Sequence, residues 1–194
     1  RALAQAGKVD AAIARRESFN LSGLQGREPE QISGAIVTAN FFKVIGLQPQ
    51  LGRVFTAAED RVGGPLLSVS SDKLWERIFA RDPHVLGRTV KFGNQPYTVI
   101  GVMPPEMFSP RTVEVWFPLM RRTDDVAWQT RDNHPGLFGW ARLKNGVALE
   151  TGRAELQQIA ARLAQQYPES NSKVSVTVTP LLENQVGDYR TSLS

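Results

Sequence analysis

The side chains able to do chemistry are few in this sequence, and their spacing serves none of the common mechanisms. His84 and His134 lie far apart, each beside a proline, with no HExxH pair and no second histidine at helical spacing. Neither has a compact carboxylate cluster near it in sequence, so a catalytic metal would lack its ligands. Phosphate-cradling loops need a glycine-rich turn between a strand and a helix. Neither GxxxxGK[ST] nor GxGxxG occurs, and Gly63-Gly64-Pro65 reads as an ordinary turn. No GxSxG nucleophile elbow is present, which leaves Ser70 and Ser71 as helix-capping residues. The neighbouring carboxylates Glu59-Asp60 and Asp124-Asp125 point in different directions on any helix or strand, and read as solvated surface.

The absence of cysteine excludes disulfide frameworks, zinc knuckles, iron–sulfur clusters and thiol catalysis. Trp75, Phe79, Phe92, Tyr97, Phe108, Trp116 and Phe117 recur at apolar periodic positions, which suits core filling better than base stacking. Asn20-Leu21-Ser22 matches a glycosylation sequon, a pattern too short to carry an assignment. No catalytic, cofactor-binding or metal-ligating residue is therefore nominated, and no cofactor is expected. A hydrolase would need a histidine, a carboxylate and a hydroxyl to meet in space.

The elements that would position any site follow from composition and periodicity. The 194 residues suffice for one domain or two small ones, and 41% hydrophobic with 22% charged residues is ordinary globular usage. The net charge of +4 is spread without a basic run, so no nucleic acid is expected as partner. No window approaches the roughly 18 to 20 apolar residues that span a bilayer. The sequence opens on Arg1 rather than Met, and reads as a soluble piece excised from something longer.

Val9 to Leu21 and Gln31 to Thr38 predict two strands joined through a glycine-bearing turn, after a frayed helix end over residues 1–8. Thr38 or Asn40 would cap a short helix through Phe41, Phe42 and Ile45, ended by Gly46. Thr56 would cap a helix over Ala57 to Asp60, ahead of a loop from Arg61 to Pro65. After the apolar run Leu66, Leu67, Val69, a serine caps an amphipathic helix carrying Leu74, Trp75, Ile78 and Phe79, stopped at Asp82-Pro83. Gly87 to Phe92 and Tyr97 to Val102 form a hairpin about Gly93-Asn94. Met103 to Pro110 is a proline-rich loop pinning Met107 and Phe108, and Val113 to Leu119 is a further strand. A long polar connection over residues 120–136 follows.

Gly139 to Leu143 predicts a strand and Leu149, Leu156, Ile159, Leu163 and Tyr167 a helix. Val174, Val176 and Val178, alternating with Ser175, Thr177 and Thr179, predict a second strand, paired with the first by a right-handed crossover. The fold class expected is α+β. The two tripeptides Leu51-Gly52-Arg53 and Leu86-Gly87-Arg88 read as turns that need glycine.

In order, the sequence holds GAIVTANFFKVIG at 34–46, PQLGRVF at 49–55, SDKLWERIF at 71–79, Asp82-Pro83, LGR at 86–88, YTVIGVMPP at 97–105 and VWFPL at 115–119. This ordered string resembles the extracytoplasmic core domain of MacB-like, FtsX-related ABC transporter permeases, from about residue 9 onward. The resemblance implies a porter-like α/β part from both ends of the sequence, 1–48 and 126–194, and a β-rich part inserted between them, 49–125. It also implies a non-catalytic domain on the periplasmic side of the bacterial inner membrane, between flanking transmembrane helices absent here, with both ends toward the membrane. Its implied partners are a second permease copy, an ABC ATPase domain or subunit, and a periplasmic adaptor in some relatives. The family's helix after Asn145-Gly146 often starts on Ser or Thr; here Ala148 stands there, so the start is expected to shift to Thr151. The competing reading is a freestanding peptide or small-ligand binding module with a cleft framed by residues 103–110 and the connection after Leu119.

Overall fold

The computed structural model describes residues 6–24, 26–107, 112–120 and 136–181. The elements run β1 (Val9–Ser22), β2 (Glu30–Val37), α1 (Phe41–Ile45), β3 (Leu51–Gly52), β4 (Leu67–Ser70), α2 (Asp72–Phe79), β5 (Thr89–Phe92), β6 (Gln95–Val102), β7 (Val115–Pro118), β8 (Phe138–Leu143), α3 (Leu149–Gln166) and α4 (Pro168–Asn171). They fall in two compact units, Asp10–Arg142 and Arg1–Val9 with Leu143–Ser194. The expected subdomain boundary near residue 48 lies inside the first of these, and the one at residue 125 lies outside the described residues.

In the larger unit the strand order β2-β7-β4-β6-β5-β1 closes on itself, because β1 also pairs with β2. Closure follows from the length of β1. Its Ala14–Leu21 stretch runs antiparallel to β2, and its last residues, Leu21 and Ser22, pair with Phe92 and Lys91 of β5. The pairings β2–β7 and β4–β6 are parallel and the rest are antiparallel, so the sheet is mixed. Closing a sheet removes its exposed edges, the sites where foreign strands add.

Two apolar clusters occupy opposite faces of these strands. Ile32 and Ile36 of β2 and Val115 and Phe117 of β7 join α2 in one cluster. Their alternate neighbours Ala35, Val37 and Trp116 join α1 in the other. Strands buried on both faces read as continuous apolar runs rather than alternating ones, which is how IVT and VWFPL look in sequence. Phe117 sits among Phe19, Phe92 and Tyr97 at ring-centroid distances of 4.7, 5.1 and 4.6 Å. Each such pair adds about 0.5–1.5 kcal/mol beyond area burial.

Most predicted elements form, and the departures have local causes. Ser71 caps α2, its hydroxyl accepting from Leu74 N at 3.1 Å, which is worth about 1 kcal/mol. The stop lies before the proline, at Ala80 and Arg81, which take left-handed φ of 49° and 58°. Neither Thr38 nor Asn40 caps α1: Thr38 donates its hydroxyl proton to Asn40 Oδ1, and Asn40 Nδ2 reaches back to Ala11 O. The predicted helix over Ala57 to Asp60 is a single turn: Glu59 N and Asp60 N donate to Thr56 O and Glu59 accepts from Thr56 N and Thr56 Oγ1 as in a capping box, but Arg61 N donates to Glu59 O and leaves the helical ladder. Gly46 ends α1 at φ 80°, as its place in the sequence predicts.

The other unit holds the long helix. α3 starts at Leu149 rather than Thr151, since Thr151 N and Gly152 N both donate to Ala148 O and form the first turn with no capping side chain. Gly152 allows its close packing: a Cβ there would lie 2.3 Å from Leu143 Cδ2. The predicted strand over residues 174–179 is absent. Val176 and Val178 are half-buried and Thr177 and Thr179 exposed, so the alternation survives, but this stretch enters no ladder among the described residues. A period of two dictates one-sided burial, while a strand also needs a partner. No helix among the described residues is long and apolar enough to cross a membrane.

Candidate functional site

Among the described residues, α2 carries a connected set of charges. Asp72, at its first turn, is 6% exposed, and it accepts from both guanidinium nitrogens of Arg81 at 2.9 and 2.8 Å and from Gln50 Nε2 at 2.8 Å. Gln50 Nε2 also donates to Met103 O at 2.9 Å, which links β3's entry to the exit of β6. Burial pushes the Asp72 carboxyl up, but the hydrogen bonds from Arg81 and Gln50 outweigh it and hold its pKa below the usual value. The left-handed residues Ala80 and Arg81 reverse the backbone, so that Arg81 returns to the helix start and lies over the Trp75 ring at 5.5 Å. Trp75 Nε1 in turn donates to Asp82 O at 2.9 Å, and Asp82 pairs with Arg88 at 2.5 Å.

On the same helix Arg77 bridges two elements, pairing with Glu30 at the start of β2 and with Glu114, at 2.6 Å, ahead of β7. Arg27 Nη2 donates to Arg77 O at 2.9 Å. Beside this network a depression of about 230 Å³ is lined by Leu21, Ser22, Leu24, Arg27, Glu28, Glu30 and Ile78. That is below the roughly 300–1,000 Å³ of pockets that engulf a small molecule. Of the residues framing the alternative cleft, 103–110 and the connection after Leu119, positions 108–110 and 121–135 lie outside the described residues.

Among the described residues, those singled out by sequence are not brought together. His84 lies exposed on a turn, where its backbone N donates to Asp82 Oδ1, and His134 and Asp124-Asp125 lie outside the described residues. Ser70 and Ser71 are buried, with Ser70 Oγ donating to Ser71 O. Glu59 and Asp60 do diverge, but to protein partners rather than to solvent. Glu59 takes both Arg53 guanidinium nitrogens at 2.8 and 2.7 Å, and that hydrogen bonding holds its pKa at about 2. Asp60 accepts from Ala39 N and Met120 N, joining α1's entry to the end of β7. The two Leu-Gly-Arg turns follow each other along β6. Arg53 N donates to Ile100 O and Gly87 N to Val99 O, and both glycines are left-handed, with φ of 72° and 81°.

Sequence reasoning missed Gln50, Arg77, Arg81 and Asp72 as a set. Asp72 and Arg81 are nine residues apart, outside the i,i+3 and i,i+4 spacings that signal a helical pair. Only the reversal at Ala80 makes them neighbours. These groups offer fixed ion pairs and no activated nucleophile, and among the described residues no cluster of His, Asp or Glu could hold a metal ion. Their chemistry is that of fasteners between elements.

In the smaller unit the fastening is done by Glu155, which accepts from Gly7 N at 2.8 Å and Lys8 N at 2.9 Å. Its desolvation is outweighed by these bonds, so its pKa is lowered. Lys144 completes the tie by donating through N to Lys8 O and through Nζ to Gly7 O.

The model of the MacB-like periplasmic core domain family matches residues 1–159. The protein is 27% identical over 128 residues to the macrolide export ATP-binding/permease protein MacB of Salmonella paratyphi A and, equally, of Salmonella typhi. The alignment covers 63% of this chain and only 19% of either relative. Among solved structures, the periplasmic region of MacB from Actinobacillus actinomycetemcomitans shares the fold at a TM-score of 0.62 and 17% identity, over 87% of this chain and 72% of that one. The extracellular domain of the ABC-type transporter YknZ from Gram-positive bacteria does so at 0.64 and 19%, over 87% and 82%.

Proposed function

Because the chain belongs to the family of MacB-like periplasmic core domains, we propose that it is a non-catalytic element of an ABC-type export permease. In this reading it converts ATP-driven movement of flanking transmembrane helices into expulsion of substrate or engagement of a periplasmic partner. The parent protein supplies or recruits the ATPase, and two permease copies act together. A porter-like part from 1–48 and 126–194, with 49–125 inserted, is the organisation proposed for it.

The observation that supports this reading best is the polar tie between the first described residues and the start of α3. Glu155 and Lys144 lock residues 7 and 8 to the segment that follows β8, so a pull on either flank is shared by both. Charge-assisted hydrogen bonds of this kind give directionality that apolar packing does not. The test is Glu155→Ala in the full-length parent. Export should fall while ATP hydrolysis stays near wild type. Export and hydrolysis both unchanged, with Gly7 and Lys8 amides shown to be released, would contradict the role of this tie.

A further inference from the structure

Asn145 is the only asparagine in the sequence followed by glycine, and the pair forms the tip of the turn between β8 and α3. Val147 N donates to Lys144 O at 3.1 Å and Gly146 takes φ 77°, which makes a tight turn with glycine at its left-handed position. Asn145 and Gly146 are both exposed, and among the described residues the Gly146 amide donates to no backbone acceptor. With no Cβ on the following residue, nothing shields that amide from the Asn145 side chain.

We propose that Asn145 and Gly146 form a spontaneous modification site, at which the asparagine deamidates through a succinimide. The Gly146 nitrogen gives its proton to solvent base and attacks Asn145 Cγ. A ring bond forms between that nitrogen and Cγ, Nδ2 takes up a proton from solvent, the bond from Cγ to Nδ2 breaks, and Nδ2 leaves as ammonia. Water then adds to one of the two ring carbonyls and opens the ring to aspartate or to isoaspartate. Water is the sole co-reactant and no electrons are transferred.

The product changes the segment that ties this unit together. Either outcome places a new carboxylate ahead of α3, whose first turn has no capping side chain. Isoaspartate also lengthens the backbone next to Lys144, whose N and Nζ hold Lys8 O and Gly7 O. Modification therefore loosens residues 7 and 8 while leaving the larger unit untouched.

The experiment is incubation of the purified protein in mildly alkaline buffer, followed by tryptic mass spectrometry and labelling with an isoaspartyl methyltransferase. The peptide ending at Arg153 should gain roughly one dalton before the peptides bearing Asn20, Asn40, Asn94 or Asn171 do. Asn145→Gln should abolish the methyltransferase signal. The proposal is overturned if another asparagine converts first or if labelling survives Asn145→Gln. It is equally overturned if Asn145 stays intact in the folded protein when the same sequence as a free peptide has converted.

Discussion

Each of the two compact units is held together internally by its own means. In Asp10–Arg142, Phe41, Phe42, Trp116 and Phe117 are each at most 2% exposed, and ion pairs at α2 tie helix, loops and strands into one body. In the other unit, Val9, Leu156 and Ile159 are the buried apolar residues among those described, and Glu155 and Lys144 supply the fastening. Close-packed interiors transmit displacement because they have few alternative packings. Regions with few buried contacts open at lower cost. The contrast makes the larger unit the stiff body and the smaller one the part that yields.

Phe117→Ala should have the largest effect. It removes a ring packed on Phe19, Phe92 and Tyr97, and should cost the larger unit about 3–5 kcal/mol. Urea unfolding reads this directly, and a loss under about 1 kcal/mol would break the claim that this unit is the stiff one.

Gly101→Ala comes next. The added Cβ would sit 2.2 Å from the backbone oxygen of Arg53, forcing β3 away from β6. A loss of about 1–3 kcal/mol is expected, with faster hydrogen exchange at Arg53 as its local sign.

Acid should weaken the larger unit through Glu59. Its folded pKa of about 2 lies below the ordinary 4.5, so its contribution is complete above the unfolded value and disappears as pH falls from 4.5 through 2. In Glu59→Gln that part of the acid dependence should vanish, the two proteins converging in stability near pH 2. Asp72 titrates in the same direction, so some acid sensitivity persists in the variant.

The smallest effect is that of Glu155→Ala. It should release the Gly7 and Lys8 amides in exchange measurements and leave the unfolding midpoint of the larger unit unchanged. A matching shift in both units would show that the distinction between them is false.

What the sequence conveyed and what it withheld divide along physical lines. The hairpin around Gly93-Asn94, the Ser71 cap and the α3 stripe were readable because each rests on local chemistry or periodicity. Closure of the strand ring was not, since it depends on β1 serving both β2 and β5. The strand expected at 174–179 had the right alternation and finds no ladder partner among the described residues. The helix expected at Ala57 has its capping contact, Glu59 accepting from the Thr56 amide, yet stops after one turn, where Arg61 N donates to Glu59 O rather than to Ala57 O. The Asp72–Arg81 fastener needed two consecutive non-glycine residues in the left-handed region, which no local signal announced.

The most direct test of transmission is to replace residues 10–142 of the full-length parent by a short flexible linker, and to measure ATP hydrolysis and export in the same membranes. The account predicts that hydrolysis continues while export is lost. Export persisting at the wild-type rate without this unit would contradict it.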